Sequence, residues 1–300
     1  MNRQQNGLAL ILALMMGIVL SVVMILMQYQ AKATLRLAQQ AHDQVAAKAR
    51  VTSVREELIF TLTTTPLWLT GAAHQQIEAL QLPKDFNLAG AAFSWMDAQI
   101  RIADSGGKIS LNPLDEYGLI QLLQSADIKE TAPLLDAVND WIDEDSLTHL
   151  YGAEAPDYAV SGFPPNRPLQ FVDELRHVKG FSAIDWNKLK PHLTLIGYEK
   201  TNPYFASDQL LEILLGPTMR DRMIAERSSG EFSQELAAAL RSDEETFFAS
   251  KRLEIEVTAE VGDAAFSESI VLVRQPGAER ISHITQRKPG VELVELIEHQ

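Results

Sequence analysis

Cysteine is absent from this 300-residue chain, which excludes thiolate metal centres, thiol nucleophiles and disulfides and leaves the redox compartment open. Basic residues are in deficit. The 26 Lys and Arg against 40 Asp and Glu give a formal net charge of -14, which repels nucleic-acid phosphates and anionic lipid and suits divalent cations instead. The signatures of catalysis are missing as well. There is no HExxH, no GxSxG and no phosphate-binding GxxxxGK followed by Ser or Thr, and the 7 histidines are scattered without an obvious partner, so no enzymatic activity is expected. Trp68, Trp95, Trp141 and Trp186 read as core or docking residues rather than ligands for a substrate. The 46% hydrophobic content is that of a folded chain of one or two domains.

What is present begins with a long apolar run. No charged residue occurs from Leu8 to Met27, and at about 1.5 Å per residue a helix of that length crosses a ~30 Å hydrocarbon layer. Arg3 and the amino terminus precede the run and hold that end in the cytoplasm, so the remainder faces the periplasm. A secretory signal has a shorter apolar core and a small-x-small cleavage site, and neither is evident here. No helix breaker follows until Pro66, which predicts one continuous helix of roughly 85 Å from Leu8 to Thr65, long enough to need an assembly to explain it. Leu35, Ala38, Val45, Ala49, Thr52 and Ile59 are expected as its buried stripe, with Lys32, Arg36, Asp43, Lys48, Arg55 and Glu56 in water.

Beyond Pro66 the pattern is mixed. AAFSWMDAQIRIAD and KISLN read as strands of one small sheet, separated by a Ser105-Gly106-Gly107 turn. From Leu114 to about Leu215 the pattern is helical. After Arg241 it alternates: Leu253, Ile255, Val257, Ala259 and Val261 face inward and Glu254, Glu256, Thr258 and Glu260 outward, followed by a Gly262-Asp263 turn, a second strand FSESIVLVR and a third around RISHITQR. The expected fold class is α+β: a long N-terminal helix packed on an antiparallel sheet, with a large inserted all-α domain.

The leader MNRQQNG, ending in Gly7 ahead of an apolar helix that turns amphipathic, resembles a type IV prepilin signal. A plain signal anchor is the alternative reading of these residues. The resemblance implies cleavage between Gly7 and Leu8 by a prepilin peptidase, methylation of the new amino terminus, and a pilin-like long helix. Most pilin-like proteins carry Glu at the fifth mature position, where its carboxylate neutralises a neighbouring amine. Here that position is Leu12, a departure that resembles the minor pseudopilin K (GspK) family of type II secretion. LDAVNDWIDEDSLTHLYGAEAPDY is similar to that family's signature, and NRPLQFVDELRHVKGFSAIDWNKLKPHLTL follows its later succession in order. The departures are Ile109-Ser110-Leu111-Asn112 for Ile-Asn-Leu-Asn, and Asn202-Pro203-Tyr204-Phe205-Ala206 for Asn-x-Asn-Thr-Ala.

With that resemblance the chain divides into residues 1–7 as leader, 8–66 as transmembrane and amphipathic helix, 67–112 as the first part of the pseudopilin body, 113–216 as the inserted helical domain, and 217–300 as the remaining sheet and tail. The resemblance implies an inner-membrane, single-pass protein at the tip of the pseudopilus. It would initiate or cap assembly, and its implied partners are the I-type and J-type minor pseudopilins and the major pseudopilin fibre. A single-pass membrane-anchored periplasmic binding protein, which would keep its leader, is the competing expectation.

Asp140, Asp143, Glu144, Asp145 and Glu154 crowd a short stretch, and their repulsion needs either full solvation or a cation. Calcium is the natural candidate. With Asp143 as position one, Asp145 and Glu154 fall at the offsets of a calcium loop, yet Leu147 and Thr148 stand where an EF-hand needs a ligand and Gly, so only a loop-wrapped cation is expected. The K family resemblance implies structural calcium in this domain, with Asp143, Asp145 and Glu154 as ligands and Asp140 as a fourth. Leu175, Val178, Gly180 and Phe181 resemble a helix-hairpin-helix, but the acidic balance and the anchor weigh for a structural hairpin and against nucleic acid.

Overall fold

The computed structural model describes residues 3–71, 74–229, 248–274 and 281–284. Helix α1 runs unbroken over Arg3–Thr64, because its Ala- and Leu-rich sequence offers no proline before Pro66, whose ring cannot continue a helix. From Leu12 to Tyr29 its large apolar side chains all face outward, and the helix is long and apolar enough there to cross a membrane.

The lower half of α1 lies on a sheet, and its buried stripe differs from the expected one. Ala47, Val51, Val54, Leu58 and Leu62 are buried, whereas Leu35 and Val45 are each 69% exposed. Both stripes have helical spacing. Periodicity alone does not tell which of two apolar faces meets the sheet and which stays open. Two charged residues expected in water are drawn in with the true stripe. Arg55 pairs with Glu268 at 2.7 Å between helix and sheet, and Asp43 is only 6% exposed. Asp43 tucks into the Gly262 turn, where a Cβ on Gly262 would collide with its carboxylate, and it accepts a hydrogen bond from Gln39 Nε2 at 2.8 Å.

Short helices α2 (Leu67–Thr70) and α3 (His74–Ala79) follow. The Trp68 indole donates to the Ser250 carbonyl at 3.0 Å, fastening the end of the long helix to the sheet. The sheet is antiparallel and five-stranded, in the order β1 (Ala89–Trp95), β2 (Ala98–Asp104), β5 (Arg252–Val261), β6 (Ala264–Arg274), β7 (Ile281–Ile284). Leu253, Ile255, Val257 and Ala259 are buried as the alternation predicts. Gly262, at φ 56°, supplies the left-handed residue of the two-residue turn between β5 and β6.

One expected member of this sheet is elsewhere. Strand β3 (Ile109–Asn112) pairs in parallel with β4 (Leu193–Ile196) as a separate two-stranded sheet. The Ser105–Gly107 turn is a 3-10 helix whose cap, Asp104, accepts the Gly106 N–H, and it turns the chain out of the first sheet. Helices α4 (Glu116–Ser125), α5 (Ala132–Ile142), α6 (Trp186–Leu189), α7 (Asp208–Leu215) and α8 (Pro217–Ser229) lie between β3 and β5 in sequence. The helical pattern expected across 114–215 is interrupted. Between Ile142 and Phe171 the described residues form no α-helix or strand, only a 3-10 turn over Ala155–Asp157. Leu175, Val178 and Phe181 are buried, and a Cβ on Gly180 (φ 92°) would press on Leu134, so the hairpin-like motif is core. Trp68 and Trp141 are buried, Trp95 and Trp186 half-buried.

Candidate cation site

Helix α5 begins at Thr131 with Pro133 in its first turn, which its missing N–H and fixed φ suit. Leu134, Ala137, Val138 and Trp141 recur at helical spacing and face the core. That rotation brings Asp136 and Asp140 onto an adjoining face, and Asp143 becomes the C-cap. A helix C-terminus carries the negative end of the macrodipole, so gathering Asp140, Asp143 and Asp145 there opposes the dipole as well as their mutual repulsion.

Asp140 is fully buried. Its Oδ1 accepts the His149 backbone N–H at 3.0 Å and faces His149 Nδ1, while Oδ2 accepts the Ala153 N–H at 2.6 Å. A Cβ at Gly152 would run into this carboxylate, which is why the loop can close so tightly there. His149 is therefore not without a partner, as the sequence suggested: its hydrogen bond to Asp140 raises its affinity for a proton. Asp136 accepts the Tyr151 N–H at 3.0 Å and Asp145 the Leu147 N–H at 2.8 Å. Below, Trp141 packs on Phe163 and Tyr158 with ring centroids 4.9 and 5.5 Å away.

Three oxygens nearby are buried and accept no hydrogen bond: Asp143 Oδ1, Glu154 Oε1 and Asn166 Oδ1. Glu154 is 4% exposed. Burial, followed by the charges of Asp140, Asp143 and Asp145, raises the Glu154 carboxyl above its ordinary range. Burial, then Asp145 and Asp140, does the same for Asp143. Asn166, held at φ 47°, donates its Nδ2 to the Asp145 carbonyl, so its amide oxygen is carried to the same loop. Buried acceptors without donors are costly, and a hard cation is the group that repays several of them at once.

The four expected ligands are thus not equivalent. Asp140, Asp143 and His149 each place one atom within 4.8 Å of the others, a set that Asp145 and Glu154 do not join. The oxygens of Asp140 are already engaged by N–H groups, so it acts as the staple of the loop. Asp143 and Glu154 retain the free oxygens, and Asn166 adds a neutral one that a search for carboxylates passes over. All three are oxygens, as calcium or magnesium requires. In donor type the set suits such an ion.

Residues 84–198 match the family model described as type II secretion system (T2SS), protein K. Type II secretion system protein K of Klebsiella pneumoniae is 27% identical over 227 residues, 66% of this chain and 65% of that protein's length. The protein of the same name from Dickeya chrysanthemi is 33% identical over 27% of this chain and 23% of its own, and that of Aeromonas hydrophila 32% identical over 32% and 31%. Among solved structures, the GspK-GspI-GspJ complex from enterotoxigenic Escherichia coli aligns over 86% of this chain and 100% of the matched chain, at 18% identity and a TM-score of 0.49. These sequence matches bear out the family resemblance.

Proposed function

We propose that this chain, which carries a type II secretion system protein K domain over residues 84–198, is a minor pseudopilin at the tip of the type II secretion pseudopilus that initiates or caps its assembly during protein export. It works through contacts rather than catalysis. The observation that supports this reading most is α1: one helix that is uncharged and exposed from Leu12 to Met27 and then buries Ala47, Val51, Val54, Leu58 and Leu62 on an antiparallel sheet. An apolar helix continuous with its head can leave a bilayer and join a bundle without refolding the head. Leu12 offers no carboxylate to a neighbouring amine, which suits a subunit with none above it. In this reading the prepilin peptidase cuts between Gly7 and Leu8, the amino terminus is cytoplasmic and the head periplasmic. The partners are the I-type and J-type minor pseudopilins and the major pseudopilin fibre.

Structural calcium belongs to the same proposal, with Asp143, Glu154 and Asn166 supplying oxygens, Asp145 completing the shell and Asp140 holding the loop. The buried, unpartnered oxygens support it.

The deciding experiment is amino-terminal sequencing of the protein recovered from membranes of cells with and without an active prepilin peptidase. A start at Leu8 that depends on the peptidase is expected. An intact leader in both cells would replace this reading with an anchored periplasmic binding protein.

A further inference from the structure

The loop that follows α5 turns its largest apolar side chains outward. Leu150 is 82% exposed, Leu147 76% and Tyr151 59%, so the two leucines are barer than any large apolar side chain described in the membrane-crossing run, where Met16 reaches 67%. Their exposure is built rather than slack. The backbone N–H groups of residues 147, 149, 151 and 153 bind the carboxylates of Asp145, Asp140, Asp136 and Asp140 in turn, which fixes the main chain while the side chains of Leu147, Leu150 and Tyr151 stay outside.

We propose that Leu147, Leu150 and Tyr151 form a docking surface for a secreted protein that presents an apolar pocket rimmed by lysine or arginine. A pinned loop has already lost the freedom that docking would otherwise cost, and apolar anchors on a rigid backbone are what a partner's pocket selects. The rim follows from charge. Glu144 and Asp145 are exposed just ahead of these side chains, and half-buried Asp136 holds the Tyr151 N–H beside them; one divalent cation cancels only part of the charge gathered in this loop. A second copy would bring the same acidic ring and an anionic membrane its phosphates, so both are repelled, whereas a cationic rim is attracted. The inference takes from the proposed function only that the head faces exported proteins.

The absence of cysteine makes the test simple. Leu150→Cys provides a single thiol for a benzophenone label on the full-length protein in neutral-lipid nanodiscs, and purified proteins from the host's culture medium are added one at a time. The expected result is a photo-crosslink to at least one of them, mapped to an apolar pocket flanked by Lys or Arg. It should weaken about tenfold when Leu147→Ser and Tyr151→Ser are added at unchanged Tm, and again in high salt. A label at Ser94→Cys, on the sheet, should capture nothing. The proposal is overturned by no crosslink to any of them, by products joining only two copies or lipid, by equal capture from Ser94→Cys, or by yields that ignore Leu147→Ser and Tyr151→Ser. A peptidase-dependent start at Leu8 would stand in every one of those cases, so the two readings fail separately.

Discussion

Where α1 lies on the sheet, Val51, Val54, Leu58 and Leu62 are buried over Ile100, Ile255, Val257 and Ile270, and strand ladders satisfy the backbone. Between Ile142 and Phe171 there is no ladder. Asp136, Asp140 and Asp145 take the N–H groups that a partner strand would have taken, with Trp141, Phe163 and Tyr158 as a small aromatic floor. The first region is stabilised by apolar area, which is indifferent to ions. The second concentrates like charges at a helix C-terminus, so its stability depends on what neutralises them.

Truncation in the apolar region should have the largest effect. Leu58→Ala removes a fully buried side chain and should cost about 3 kcal/mol in denaturant unfolding, within the usual range for such cavities. The loss should be equal in calcium and in chelator. A loss that calcium restores would mean that the two regions are one ion-dependent unit, and the comparison would fail.

Calcium itself should come next. At an ion concentration of about 100 Kd it adds roughly 2.7 kcal/mol to a single-site protein, read as a raised Tm and slower proteolysis within residues 143–171. Asp143→Ala with Asp145→Ala should abolish that rise. Glu154→Gln should abolish it too, yet in chelator it should be at least as stable as the parent, because it removes a buried charge held above its ordinary pKa by burial and neighbouring carboxylates. Equal destabilisation in calcium and chelator would make Glu154 a packing residue. Asn166→Ala is the finer test: calcium affinity by calorimetry should fall about tenfold, some 1.4 kcal/mol, with little change in chelator.

The two regions also differ in how far the sequence revealed them. Pro66 marked the end of α1, and the Leu253-to-Ala259 alternation with Gly262 marked a hairpin, because both patterns are local and repeat. The face of α1 was missed: Ala38 and Val45 are seven residues apart, as Val51 and Leu58 are, and only the position of the sheet separates the two stripes. Strand β3 was missed as a partner of β4 because Ile109 and Leu193 are far apart in sequence and no pattern encodes their pairing. At the site, the crowding of Asp140, Asp143, Asp145 and Glu154 was visible, but their division of labour was not. Gly152 was the available signal for a staple at Asp140, and the Asn166-Arg167-Pro168 string, read only as a family motif, contained the neutral oxygen. A carboxylate shows its type in sequence; whether N–H groups have already claimed it is a fact of tertiary structure.

The smallest effect tests whether carboxylate-to-amide pinning is costly even where no cation is implied. Asp104, 1% exposed at the junction of β2 with the 3-10 turn, accepts N–H groups of Gly106 at 2.6 Å and Ser250 at 2.7 Å, yet burial pushes its carboxyl from 3.8 up to about 6. The folded state therefore holds a proton over a range in which the unfolded chain has released it. Stability from this group is fully present below about pH 4 and is lost as pH rises through 6. Between pH 5 and pH 7 the protein should lose about 1 kcal/mol relative to Asp104→Asn, whose side chain does not titrate. Paired denaturation curves of the two proteins at several pH values would show the difference growing toward neutrality. A flat difference would mean that two N–H donors fully compensate a buried carboxylate, and pinning at Asp140 would then need no help from a cation either.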